Sequence, residues 1–220
     1  MNHSNQNIWK TEACAVDFEG IPDAIPDDST ICIAKPAPLT EYAIPLRITD
    51  RYTADNDCRV IVTSLVSAEE TIQQQQSLTH SAVSRIGVVD TRADGYLESL
   101  YQENPTISLP QPGELSQLAI AARDLHEALS TSCSKPHVIL RSLTPILDAE
   151  PLERVTNVLE RLIRQQSSSS SLTVFSIDYT EHDEATMAAL EALADGIVWV
   201  EQTGERPLRF DYRRVRPRKQ

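Results

Sequence analysis

His137-Val138-Ile139-Leu140 is the stretch on which the fold turns. After the histidine it is wholly apolar, and a short strand without polar alternation is one buried on both faces, as at the centre of a parallel sheet. Upstream, Glu114 to Leu129 places Leu115, Leu118, Ala122, Leu125 and Leu129 at helical spacing. Downstream, Glu150 to Arg164 places Leu152, Val155, Leu159, Leu162 and Ile163 on one helical face. Further out, Ile31–Ala34, Arg59–Thr63, Ile86–Asp90, Leu172–Ile177, Gly196–Val200 and Leu208–Val215 read as strands. Tyr42 to Tyr52 reads as a helix with Pro45 confined to its first turn. A second runs from the capping box Ser67-Ala68-Glu69-Glu70 to Leu78, and a third from Asp183 to Leu193. Gly20 to Asp28 reads as turns, Pro105 to Pro112 as a loop, and the serine run Ser167 to Ser171 as a flexible loop. Strand–helix alternation of this kind predicts an α/β fold: a mostly parallel sheet flanked by helices, in a single domain. The expected division is a flexible N-terminal arm at 1–18, the α/β domain at 19–205, and a basic C-terminal strand and tail at 206–220.

A length of 220 residues with 40% apolar content suits one such domain. No apolar run approaches the ~20 residues of a membrane helix, and Met1 to Phe18 carries no signal-peptide pattern, so the chain is expected in the cytoplasm. Cys14, Cys32, Cys58 and Cys133 form no Cys-x-x-Cys pair and have no histidine at ligand spacing, which predicts free buried thiols and no metal site. The net charge of −12 is uneven: residues 206–220 hold seven Arg or Lys and one Asp, so the acidity belongs to the body. An acidic body repels phosphates and argues against nucleic acid as a partner.

Several segments in order resemble the KaiC branch of the RecA-like ATPases. His137-Val138-Ile139-Leu140-Arg141-Ser142-Leu143-Thr144-Pro145-Ile146-Leu147 is similar to that family's Walker B strand, an apolar run followed by Asp-Ser-Leu-Ser. Glu153 to Leu162 resembles the helix after it. Leu172 to Tyr179, His182-Asp183-Glu184, and Leu190 to Val200 with its Asp195-Gly196-Ile197-Val198 ending look like the family's next strand, helix and strand. The resemblance covers about Gly20 to Arg216 and implies a RecA-like sheet. Degenerate relatives of this kind are frequent in halophilic archaea, and an acidic body suits a salt-rich cytoplasm.

The same resemblance implies that the ATPase chemistry is gone. A Walker A loop wraps phosphates with glycine N–H groups, neutralises them with a lysine, and holds Mg²⁺ with a hydroxyl. Here the loop reads Lys35-Pro36-Ala37-Pro38-Leu39-Thr40-Glu41-Tyr42. Lys35 and Thr40 take the glycine positions, Glu41 the lysine position and Tyr42 the hydroxyl position. The stretch between Gly20 and Gly87 has no glycine, and Pro36 and Pro38 remove two N–H donors. Glu41 would set like charge against a γ-phosphate, at a cost of several kcal/mol for ~4 Å and a dielectric near ~20. The Walker B aspartate corresponds to Arg141, and the catalytic-glutamate positions to Leu65 and Val66, neither of which accepts a proton. The exchange of charge at Glu41 and Arg141 predicts an ion pair between them, direct or joined by one water, that fills the site.

The other candidates read as structural. His182, Asp183 and Glu184 open a helix, where acidic residues favour the dipole. His126 reads as a helix-surface residue and His137 as buried at a strand start. Ser67, Ser142 and Ser176 have no His–Asp arrangement, and there is no Gly-x-Ser-x-Gly elbow. Phe210 and Tyr212 share one strand face, to pack on the core or to stack on a base. The expectation is therefore a catalytically inactive RecA/KaiC-like domain with no cofactor, acting as a regulatory or scaffold protein through protein–protein contacts or self-association. A module binding a nucleotide or other small ligand in a remodelled pocket is the alternative, followed by a nucleic-acid accessory protein using the basic tail.

Overall fold

The alternation read from the sequence is realised in a computed structural model, which describes residues 18–37, 39, 42–54, 56–78, 85–93, 97–99, 103–110, 115–130, 133–166, 170–202 and 208–216. The strands are β1 (Thr30–Lys35), β2 (Cys58–Thr63), β3 (Arg85–Ala93), β4 (Leu97–Ser99), β5 (Thr106–Pro110), β6 (Pro136–Leu140), β7 (Thr173–Asp178), β8 (Gly196–Glu201) and β9 (Arg209–Arg214). The helices are α1 (Ile44–Tyr52), α2 (Ala68–Leu78), α3 (Leu115–Ser130), α4 (Thr144–Ala149), α5 (Leu152–Gln166) and α6 (Glu184–Glu191). All strands join one sheet in the order β4-β5-β3-β2-β6-β7-β1-β8-β9. From β5 through β8 every neighbour runs parallel, and only the two edges, β4 and β9, are antiparallel. The protein is thus a single-domain α/β fold with a mostly parallel sheet, and β6 lies at its centre as its apolar run requires. No helix of the described residues is long and apolar enough to cross a membrane.

The period of two along each strand sorts the core into two layers. Cys32, Ala34, Val60, Val62, Val138, Leu140, Phe175 and Ile177 face the layer that holds α3, α5 and α6, packing on Leu118, Leu125, Val155, Leu159 and Leu190. Their odd-numbered neighbours on β1, β2 and β6 face the other way. Ile31 and Ile33 meet Ile44 and Ile48 of α1, while Ile61 and Ile139 meet Leu46 of α1 and Ile72 of α2. Both faces are covered, so the inner strands are buried along their whole length.

The structure corrects three expectations. Pro105 to Pro112 is not all loop: Thr106–Pro110 is strand β5, with Ile107 and Leu109 buried in alternation. Its flanking prolines read as loop signals, yet they mark its two ends, where a missing N–H costs little. The short helix α4 escaped notice because six residues carry too little periodicity to read. Cys58 and Cys133, expected as free thiols, form a disulfide with Cα atoms 5.7 Å apart, within the span of a bridge. Parallel pairing sets Cys58 beside Pro136, so the segment leading into β6 lies along the start of β2, a proximity hidden by a separation of 75 residues. Cys32 is a free thiol whose burial pushes its pKa up; Cys14 lies outside the described residues.

At the β9 edge, Phe210 is buried and stacks on Phe18 with ring centroids 5.1 Å apart, while Tyr212 lies over Gly196. The two aromatics pack on the body. Gly20 carries the chain past this point with φ of 94°, and a Cβ there would collide with the carbonyl oxygen of Phe210. Gly20→Ala should therefore destabilise the fold by ~1–3 kcal/mol through strain and displacement of the Phe18–Ile21 turn. Denaturant unfolding reads this directly, and an unchanged midpoint would mean that the turn does not rest on β9.

Candidate functional site

Parallel strands end together, and the ends of β1, β2, β6 and β7 bring together Lys35, Leu65 and Arg141 among the residues the resemblance singled out. Lys35 closes β1 and Asp178 closes β7, and the parallel register makes them neighbours. Their side chains form a buried ion pair. Thr144, the first residue of α4, receives the Asp178 N–H on its Oγ1 at 3.1 Å and meets His182 Nε2 at 3.1 Å. Thr63 ends β2 and donates its hydroxyl to the Val66 carbonyl at 2.8 Å. Ser64 Oγ donates to the Ser142 carbonyl at 3.0 Å, and Ser176 Oγ donates to the Arg141 carbonyl. These hydroxyls close the backbone turns beyond the strands.

Arg141 follows β6 and, by the alternation, emerges on the α1/α2 face. It is 7% exposed. Its Nη1 donates to Thr71 Oγ1 at 2.8 Å and its Nη2 to Gln74 Oε1 at 2.7 Å. Gln74 in turn donates from Nε2 to Glu70 Oε1 at 3.2 Å. One amide thus relays between a buried guanidinium and a half-buried carboxylate four residues earlier on α2. Burial lowers the Arg141 pKa to about 10, against the pull of Glu70; the group remains charged at neutral pH. The expected partner, Glu41, lies outside the described residues, as do Thr40 and Pro38. Glu70 does not reach back as the capping box supposed. Ser67 Oγ does accept the Glu70 N–H at 3.1 Å, and Asp90 accepts the Ala68 N–H at 3.0 Å to complete the start of α2.

Lys35, Leu39, Thr63, Leu65 and Arg141, with the first turn of α1, line one cavity of about 10 Å³, the room of a single water molecule. Leu39 is buried there against Ile31, Ile33 and Ile44. Leu65 is 41% exposed at the cavity's rim. Val66 sits beside it in the turn, and Tyr42 packs half-buried on the α1 side of the core. Ala43 turns the chain into α1 with φ of 46°, a left-handed conformation without glycine's freedom. The site therefore brings together Lys35, Leu65 and Arg141 from three distant segments. Sequence reasoning missed Asp178, Gln74 and Thr71; Asp178 could have been found as the carboxylate that ends an apolar strand, as Lys35 does.

At the opposite end of the sheet His137 is buried. Its Nδ1 accepts the Leu172 N–H at 2.9 Å, and its Nε2 faces Asp57 Oδ2 at 3.1 Å. A ring with Nδ1 engaged as acceptor carries its proton on Nε2 and donates it to Asp57. Burial lowers the His137 pKa even though the Asp57 contact opposes this. His126, expected at the helix surface, is half-buried against Gln166 and shifts the same way for the same reason. Asp183 caps α6 by accepting the Thr186 N–H at 2.8 Å, the structural part read for it.

A protein-family model described as a family of unknown function, DUF7504, matches residues 45–200, from within α1 to within β8. No curated protein matches the sequence.

Two outcomes follow from this geometry. Gln74→Leu should cost ~1–3 kcal/mol because it strands a buried guanidinium, whereas Arg141→Met, which removes charge and relay together, should cost far less or stabilise. Adding Gln74→Leu to the Arg141→Met protein should then be nearly neutral in chemical denaturation; equal costs in both backgrounds would deny the relay. For His137 the folded pKa lies below the unfolded one, so the unfolded chain takes up the proton first as pH falls. The stability tied to neutral His137 is full above the unfolded value of ~6.5 and is lost below it. Between ~pH 7.5 and ~pH 5 the His137→Gln protein should lose less stability than the wild type; parallel profiles would mean that His137 titrates as it does in water.

Proposed function

We propose that this chain, which belongs to the DUF7504 family, is a RecA/KaiC-like domain that has given up ATP chemistry and acts as a regulatory or scaffold protein through contacts with other proteins. The observation that carries this reading is the convergence of Lys35, Leu65 and Arg141 on one cavity of about 10 Å³. Three positions that the resemblance assigns to the phosphate loop, the general base and the magnesium site meet in space, as parts of one former machine would. A nucleotide triphosphate needs a cleft of several hundred Å³. The cationic groups in place are already engaged, Lys35 by Asp178 and Arg141 by Thr71 and Gln74. Leu65 offers no proton acceptor beside them. Such a domain retains its surfaces when it loses its chemistry, and contact with other proteins is the role those surfaces can serve.

Thermal unfolding with and without millimolar Mg–ATP tests the reading. The expected result is no shift in midpoint. Ligand at ~100 times its Kd adds ~2.7 kcal/mol of stability, so a clear upward shift would overturn it in favour of a nucleotide-binding module.

A further inference from the structure

We propose that the Cys58–Cys133 disulfide is a reversible thiol–disulfide exchange site, opened by a small dithiol that attacks Cys133 and closed again without loss of the fold. This goes beyond the function proposed above and does not rest on it. The two sulfurs sit in different surroundings. Cys58 is 0% exposed, in the apolar cluster with Val60, Leu125 and Leu129, whereas Cys133 is half-buried in the segment after α3. A reductant therefore reaches Cys133 first, because exchange needs an open line to the sulfur attacked.

The reduced state is also provided for. The Cys58 sulfur lies 3.9 Å from the carbonyl oxygen of Leu129, in the last turn of α3. That carbonyl is a ready acceptor for a released thiol. Cys58 is fully buried with its sulfur against that carbonyl, whereas Cys133 is the more exposed of the two, which leaves Cys133 as the sulfur that starts reoxidation. In the forward direction a thiolate of the dithiol bonds to the Cys133 sulfur and the Cys58–Cys133 bond breaks. Cys58 leaves with the electron pair and takes a proton. The second thiol of the reductant then displaces Cys133 from the mixed disulfide. Two protein thiols form and the dithiol becomes a disulfide, with two electrons and two protons passed to the protein.

Opening the bond does not part the segments it joins. The Cys58 N–H donates to the Lys135 carbonyl at 2.9 Å and the Ser134 N–H to the Asn56 carbonyl at 3.3 Å. Asn56 Nδ2 donates to Ser134 Oγ at 2.6 Å, and His137 bonds Asp57. Beyond them β2 and β6 pair along their length. The bridge is a clasp over a seam that closes by itself.

Alkylation with iodoacetamide under denaturing conditions, read by intact mass, gives the count. Protein purified without reductant should take up two groups, at Cys14 and Cys32, and protein treated in its native state with dithiothreitol should take up four. The reduced protein should keep its far-UV circular dichroism and unfold cooperatively, with a midpoint lowered by about 10 °C for a loop this long. Oxidised glutathione should restore both count and midpoint. Cys133→Ser should reproduce the lowered midpoint and no longer respond to dithiothreitol. Four groups without reductant, a bridge that native protein does not yield, or a reduced protein that no longer unfolds cooperatively would each overturn the proposal.

Discussion

A parallel sheet covered on both faces offers no dry place for an uncompensated charge, and one face of this sheet carries four basic side chains. Lys35, Arg59, His137 and Arg141 all emerge toward α1 and α2, because the period of two puts them in line with Ile33, Ile61 and Ile139. Each is met at once: Lys35 by Asp178, Arg59 by Asp50 of α1 at 3.0 Å, His137 by Asp57, and Arg141 through Gln74 by Glu70. The compensation is what lets the layer close, since a buried cation left alone costs several kcal/mol and the neutral His137 ring likewise needs an acceptor for its N–H. The opposite layer has no such debt. Its strand residues are apolar from Cys32 to Ile177, and α3, α5 and α6 simply press on them.

This division explains how the strand ends came to be filled. Where a phosphate-binding edge would present its cations to a ligand, here each cation is satisfied by the protein's own groups. Lys35 turns to the neighbouring strand and Arg141 to α2. The choice of Gln74 as relay matters: a neutral amide satisfies the guanidinium by hydrogen bonding, and Glu70 supplies the charge from a half-buried position where its own desolvation costs less. A direct buried ion pair would have required both ions to leave water. Leu39 and Leu65 close the rest of the volume with apolar bulk, which leaves room for a water molecule and little else.

Much of this was legible in the sequence, and the reasons divide cleanly. The strand and helix order could be read because burial on both faces leaves apolar runs such as Val138–Leu140, and one-sided burial leaves the stripe Val155, Leu159 and Leu162. The departures from a phosphate-loop pattern were legible position by position, since that pattern requires glycine, lysine and aspartate for reasons of charge and backbone freedom. What escaped depended on neighbours across the sheet. Asp178 meets Lys35 only because β7 pairs with β1, and Cys133 meets Cys58 only because β6 pairs with β2. Strand order is a tertiary fact, and no local spacing encodes it. The Glu41–Arg141 pairing rests on charge exchange alone and falls on a residue outside those described; the described partners of Arg141 lie on α2. β5 was lost for a local reason, its flanking prolines.

The two ends of the polar face differ in a way that bears on use. At the C-terminal ends of the strands, hydroxyls and charged groups interlock across β1, β2, β6, β7, α2 and α4. At the N-terminal ends, a covalent bridge and four hydrogen bonds tie the start of β2 to the start of β6, while His137 also accepts from Leu172 beside β7 and Arg59 bonds Asp50 of α1. The flanks of the sheet are different again: β9 exposes Arg209, Arg213 and Arg214 on an edge strand, with Arg213 held to Glu191. Charged side chains on an edge discourage indiscriminate strand addition while leaving the backbone available to a partner with matching acidic groups. The domain is thus fastened where β1, β2, β6 and β7 end and guarded by charge at its open β9 edge.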